Sequence, residues 1–195
     1  MIEILKKEAK KLKKRSNVEL FIIGVIIVFF IIGFVFLISL KSSNIESQGN
    51  KIILSPKQVV IVDGDTIKFK NGTKYVYVRI VGIDTPEYKK EQKEYVIEKY
   101  NVKNISCLNE YGILAKEELS NLIKNSKNIT IIVLDKDRYG RILGKVMING
   151  SVDVAEILVK EGYAFLYTKD KYYKPYLDEL YYAKDKKEGL WGCIN

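Results

Sequence analysis

Between Val59 and Glu87 the chain reads VVIVDGDTIKFKNGTKYVYVRIVGIDTPE, setting Asp63, Asp65, Arg79, Asp84 and Glu87 where a plain strand would carry apolar residues. Grouped carboxylates are hard oxygen donors, suited to a hard divalent cation. Arg79 stands between Val78 and Ile80, and a guanidinium so placed is costly to bury unless a carboxylate or phosphate pairs with it. The stretch therefore reads as a metal and phosphate site, with Asp84 or Glu87 as the partner of Arg79 when no phosphate is bound. The chain has no histidine, which removes the usual neutral-pH base, the commonest zinc ligand and every Ser/His or Cys/His nucleophile. Any hydrolysis must run on carboxylates and a hard cation. A second arginine, Arg141, closes the charged turn Asp135-Lys136-Asp137-Arg138-Tyr139-Gly140-Arg141.

Positioning these groups falls to a short series of elements. Val59 to Val62 is a strand that kinks at Asp63-Gly64-Asp65-Thr66, where a turn-forming role is favoured for Asp63. Ile67 to Lys70 alternates apolar and basic residues up to an Asn71-Gly72 hairpin turn. Tyr75 to Ile83 is apolar except at Arg79, and Pro86 ends its ladder by removing a donor. Residues 110–125 space Ile113, Leu114, Leu119, Leu122 and Ile123 as an amphipathic helix. Residues 128–134 and 142–148 read as two further strands, and Ser151 as the N-cap of a helix ending at Gly162. A last helix is expected from about Tyr172 to Glu188, stopped by Gly189, with Leu190, Trp191 and Cys193 packing on the core. Residues 88–108 are charged and weakly periodic. They read as a loop or insertion with room for one short helix, more a solvated excursion than a nucleic-acid contact, because Glu91, Glu94 and Glu98 offset its lysines. The sum is an α+β domain whose five strands can close as a partly open barrel of the OB-fold type.

The 195 residues allow one such domain plus an appendage. Net charge is +9, with 8 basic against 4 acidic residues in 1–50 and 25 against 20 thereafter. That surplus permits polyanion binding and establishes nothing more. Composition assigns none of the 14 tyrosines as a base-stacking platform. Cys107 and Cys193 form no CxxC pair and are either two lone thiols or one disulfide, which an oxidising compartment would permit. Residues 1–19 form a basic arm. Residues 20–40 carry no charge, which meets the ~20 residues that a transmembrane helix needs. A cleaved signal peptide is the competing reading, disfavoured because the apolar run exceeds the ~7–15 residues of such peptides and no A-x-A site follows. Seven Lys and Arg precede the run, against Lys41, Lys51 and Lys57 soon after it. The N-terminus is then expected to be cytoplasmic and the domain extracytoplasmic, or secreted if the segment is cleaved. Residues 41–57 read as a polar linker.

Three motifs in order carry a family resemblance: Asp63-Gly64-Asp65-Thr66, then Arg79 ahead of Asp84-Thr85-Pro86-Glu87, then Asp137-Arg138-Tyr139-Gly140-Arg141. Together they resemble the staphylococcal nuclease (thermonuclease) family over about residues 58–192. The resemblance implies a five-stranded OB barrel with three helices and calcium-dependent cleavage of DNA and RNA. By motif position it implies Ca2+ ligation by Asp65, Asp84 and the Thr85 backbone oxygen. Glu87 would position or deprotonate the attacking water, and Arg79 and Arg141 would grip the phosphate. Tyr139 resembles a substrate-contacting tyrosine of the family, and Tyr167 approximates another. The 88–108 segment exceeds the family's usual loop. Expected partners are DNA and RNA, single-stranded or locally unpaired, and the membrane through residues 20–40, with no protein partner called for. The rival from another class is a non-catalytic OB module binding nucleic acid or protein, disfavoured because the acids and both arginines are all present.

Overall fold

The computed structural model describes residues 46–87 and 91–194, with Glu3, Val25 and Ile27 besides. The chain divides into two compact units, Met1–Asn44 and Ile45–Asn195. The basic arm and the expected span at 20–40 fall, apart from those three residues, outside the described residues. Among the described residues no helix is long and apolar enough to cross a membrane.

In the second unit the strands are β1 (Glu46–Gln48), β2 (Lys51–Leu54), β3 (Val59–Asp63), β4 (Thr66–Asn71), β5 (Lys74–Ile80), β6 (Ile83–Asp84), β7 (Ile129–Lys136), β8 (Ile142–Ile148), β9 (Val152–Asp153) and β10 (Phe165–Leu166). They form a sheet in the order β1-β2-β7-β8-β5-β4-β3, with β9 on β8, and a separate β10-β6 pair. The five expected strands are β3, β4, β5, β7 and β8. The β5-β8 pairing is parallel and joins the hairpins β4-β5 and β7-β8 into one surface. The sheet is larger than a five-stranded barrel and, among the described residues, no pairing closes β3 onto β1 or β2. The extra width comes from residues expected to be linker. Lys51-Ile52-Ile53-Leu54 pairs antiparallel with β7, matching Leu54 to Ile129, and Leu54 is buried. The polar run ahead of it masked a hairpin turning at Gly49, whose φ of +60° glycine adopts without strain.

Among the described residues of the second unit the helices number four, not three: α1 (Glu94–Tyr100), α2 (Ile105–Lys124), α3 (Val154–Lys160) and α4 (Leu177–Lys186). The 88–108 segment supplies α1 and the first turn of α2, because Val96, Val102, Cys107 and Leu108 are buried beneath its charged face. Asn104 caps α2 by accepting from Cys107 N at 3.1 Å, so that helix begins five residues before Glu110. Asp153, not Ser151, caps α3, accepting from Ala155 N at 3.0 Å. Pro175 lies in a 3-10 turn, Lys174–Tyr176, and α4 starts only after it. Cys107 and Cys193 are joined in a disulfide with Cα atoms 6.0 Å apart, tying α2 to the chain end. There Trp191 meets Phe165 edge to face, with ring centroids 5.4 Å apart. Ile67, Phe69, Val78 and Ile80 fill the inner face of the β4-β5 hairpin, in one core cluster with α2 Leu119 and α3 Leu158.

Candidate active site

The kink after β3 is where the sequence first builds the site. The β3-β4 register shifts between Ile61 and Asp63, and Asp63 Oδ1 accepts from Gly64 N at 2.9 Å, a turn role. The bend turns Asp65 inward to 2% exposure. Its Oδ2 accepts from Thr85 N at 3.0 Å and Thr85 Oγ1 at 3.1 Å, and its Oδ1 from Thr66 Oγ1 at 2.9 Å. A Cβ on Gly64 would lie 2.8 Å from both Thr85 Oγ1 and Ala115 Cβ of α2, so glycine is required for this approach. Asp84, 1% exposed, sits on β6 opposite Phe165.

Arg79 links the two aspartates. Its Nη1 pairs with Asp65 Oδ1, and its Nη2 reaches Asp84 Oδ1 at 2.5 Å and Ile83 O at 3.2 Å. Its partners are therefore Asp65 and Asp84; Glu87, the alternative anticipated, is bound elsewhere. Burial raises the Asp65 carboxyl, but Arg79, the Thr85 N–H, Lys93 and Thr66 together bring it below its ordinary value. Burial likewise opposes the Arg79 charge, and Asp65 and Asp84 more than reverse this.

Two residues from the 88–108 segment enter the site, and sequence reasoning had not placed them there. Lys93 Nζ lies 2.6 Å from Asp84 Oδ1 and 2.7 Å from Glu87 Oε1. The Tyr95 hydroxyl donates to Asp84 Oδ2. Burial works against the Lys93 ammonium, yet Asp84 and Glu87 raise its pKa above the ordinary value. Burial and the bond to Asp84 raise the Tyr95 phenol strongly. The available signal was Lys93 itself, six residues past Glu87 in a stretch rich in neutralising acids. The Glu87 backbone is clamped by Gln92, whose Oε1 accepts from Glu87 N at 2.9 Å and whose Nε2 donates to Glu87 O at 3.1 Å. Gly112 of α2 leaves room for this segment: a Cβ there would overlap Glu87 O and lie 2.9 Å from Glu87 C.

Arg141 arrives from the turn between β7 and β8. Asp137 Oδ1 accepts from Tyr139 N and Arg141 N, each at 2.9 Å, and Asp137 Oδ2 pairs with Arg141 Nε at 2.6 Å. Tyr139 is 71% exposed, with its hydroxyl 2.7 Å from Arg138 Nη2. A cavity of about 700 Å³ brings together Asp65, Arg79, Asp84, Glu87, Tyr139, Arg141 and Tyr167, together with Lys93 and Tyr95. Thr85 is buried behind it, held to Asp65. Every residue expected of the site thus lines one hollow or backs it; Cys107 and Cys193 lie apart in their disulfide. Chemically the hollow can neutralise an anion from two sides with guanidinium groups and present one carboxylate, Glu87, to a water molecule.

The donor set fits a hard cation in kind. Asp65 and Asp84 both reach one guanidinium, so two carboxylates lie close together, and Thr85 is bonded to Asp65 through its amide and hydroxyl. Among the described residues no group of three or more His, Cys, Asp or Glu is arranged to hold a metal. Arg79 and Lys93 supply the positive charge between these acids.

The family model described as staphylococcal nuclease homologue matches residues 77–193. An uncharacterized protein of Methanocaldococcus jannaschii, MJ1439, is 34% identical over 151 residues, 71% of this chain and 72% of its own. An uncharacterized endonuclease of Escherichia coli is 32% identical over 134 residues, 68% of this chain and 74% of its own. The thermonuclease of Staphylococcus hyicus is 29% identical over 157 residues, 76% and 79% of the two chains.

Proposed function

The chain belongs to the family of staphylococcal nuclease homologues, and on that premise we propose that it is a calcium-dependent nuclease hydrolysing phosphodiester bonds of DNA and RNA. The observation that carries the reading is the convergence of Arg79, Arg141 and Glu87 on one cavity beside the acidic pair. Asp65, Asp84 and the Thr85 backbone oxygen would hold calcium, which when bound adds Lewis-acid charge beside the phosphate.

The rest is the work of the chain's own groups. A phosphodiester resists attack because it is anionic, so neutralising it is the main resource available. Arg79 and Arg141 are both paired with carboxylates at rest, to Asp65 and Asp84 and to Asp137. Each fork can bind two phosphate oxygens at once, so an incoming phosphate competes with these carboxylates for it. Glu87 Oε1, held by Lys93 at rest, then accepts a proton from the water that attacks phosphorus, while the P–O bond to the leaving sugar oxygen breaks and that oxygen takes a proton from solvent. Tyr139 and Tyr167, on the cavity wall, contact the substrate beyond the reacting phosphate. We further propose that residues 20–40 anchor the protein with its N-terminus cytoplasmic and the nuclease domain outside; full protection of the domain from added protease on intact cells would contradict that orientation. Glu87→Ala is expected to abolish nicking of single-stranded DNA while leaving the circular dichroism spectrum unchanged. An active Glu87→Ala variant would contradict the role assigned to this carboxylate.

A further inference from the structure

The outer face of β5 carries a feature that the phosphate site does not use. Side chains two residues apart share one face of a strand, so Tyr75, Tyr77 and Arg79 form a row, while Val78 and Ile80 point into the core. Across β4 the register sets Lys70 opposite Tyr75, Lys68 opposite Tyr77 and Thr66 opposite Arg79. Lys68 Nζ lies 4.7 Å from the Tyr75 ring centroid and 5.6 Å from that of Tyr77. Tyr75 is 52% exposed and Tyr77 38%, so both rings are open to a ligand on the same face of the strand.

The row is continuous with the catalytic hollow. Tyr77 lines that hollow, and Tyr75, Tyr77, Tyr139 and Arg141 also line a second cavity of about 450 Å³. The second cavity opens where β5 parts from β8, since those strands pair only from Val78 with Ile142 to Ile80 with Gly144. A path thus leads from Arg79 and Arg141 over two exposed rings flanked by lysines, toward the Asn71-Gly72 turn.

Building on the nuclease reading, we propose that Tyr77, Tyr75 and Lys68 form a stacking subsite for single-stranded nucleic acid, holding the nucleotides next to the scissile phosphate. Successive rings of the row are about 6.8 Å apart along the strand, which leaves each free to take one base of an extended strand. A base that stacks on Tyr75 or Tyr77 replaces the Lys68 ammonium on that ring, and the displaced ammonium meets the backbone phosphate between the bases. Every base has a π face, so the subsite responds to strand length and to unpairing rather than to sequence. Duplex DNA, with its bases stacked internally, gains nothing from the rings.

The test uses the full chain in detergent, with chelator present so that nothing is cleaved, and fluorescein-labelled oligothymidylates read by anisotropy. The wild type should bind an octanucleotide far more tightly than a dinucleotide. The Tyr75→Ala/Tyr77→Ala double variant should lose about ten- to a hundredfold in affinity for the octanucleotide, as expected when base stacking is removed. Its dinucleotide affinity should fall far less, because a dinucleotide reaches only the ring nearest the phosphate, and the Tyr75→Phe/Tyr77→Phe variant should bind like the wild type. An Ala variant that keeps full octanucleotide affinity, or a Phe variant as weak as the Ala variant, overturns the proposal. A parallel cleavage assay with calcium separates the two claims. Cleavage with unaltered length preference in the Ala variant sinks the subsite alone, whereas a wild type that neither cleaves nor binds sinks the nuclease reading with it.

Discussion

Arg79 and Arg141 are given the same task but stand in different surroundings, and their removal should look different. Arg79 neutralises two carboxylates that are 2% and 1% exposed, so Arg79→Ala strands buried charge. It should cost about 3–5 kcal/mol of stability by denaturant unfolding in chelator, besides about 100-fold or more in turnover. The Arg141 side chain is 36% exposed and paired within its own turn. Arg141→Ala should therefore lose a similar factor in turnover while unfolding within about 1 kcal/mol of wild type. Lys93 poses the reverse case, since its ammonium sits on Asp84 and Glu87 and competes with any cation the acids would bind. Lys93→Met should tighten calcium binding by about 1 kcal/mol, roughly fivefold, in calorimetry without substrate. Unchanged or weaker calcium binding would mean that Lys93 does not compete.

At the scale of elements, α2 acts as the wall against which the Asp84-to-Glu87 segment is set. Gly112→Ala would ordinarily favour a helix by about 1 kcal/mol. Here its Cβ would push against the Glu87 backbone, and a displacement near 1 Å costs about 100-fold in rate. Turnover should fall sharply with no gain in stability, and a variant with full turnover would show that this contact is not decisive. The elements also show what the sequence could reveal. Alternation and turn residues made β3, β4, β5, β7 and β8 readable, the three motifs singled out the acids, both arginines and Tyr139, and an approximate match of a later segment added Tyr167; these residues line or back one cavity. The β1-β2 hairpin was not readable, because its pairing with β7 rests on only three buried or half-buried apolar residues, Ile52, Ile53 and Leu54, behind a polar run. The 88–108 segment left room for one short helix, but the bounds of α1 were not readable, because Val96 is its one buried residue among charges that face water. The partners of Lys93 and Tyr95 depend on where α1 docks, a tertiary fact that leaves no periodic signal.

For the molecule as a whole, the disulfide ties α2 to the last turn across a sequence separation of 86 residues. Closing so long a loop stabilises chiefly by restricting the unfolded chain, and reduction should lower unfolding stability by about 2–5 kcal/mol. Comparing denaturant curves with and without reductant checks this, and coincident curves would show that the bond contributes nothing. The globular unit would then depend on an oxidising setting for part of its stability, in keeping with the extracytoplasmic placement proposed. The central claim is that the cavity between the β4-β5 hairpin, the Asp84-to-Glu87 segment and the β7-β8 turn hydrolyses phosphodiesters with calcium. The most direct test incubates the full chain with single-stranded DNA and RNA in calcium, in magnesium and in chelator. The account predicts cleavage in calcium that chelator abolishes and added calcium restores; no cleavage in calcium, or cleavage undiminished by chelator, would contradict it.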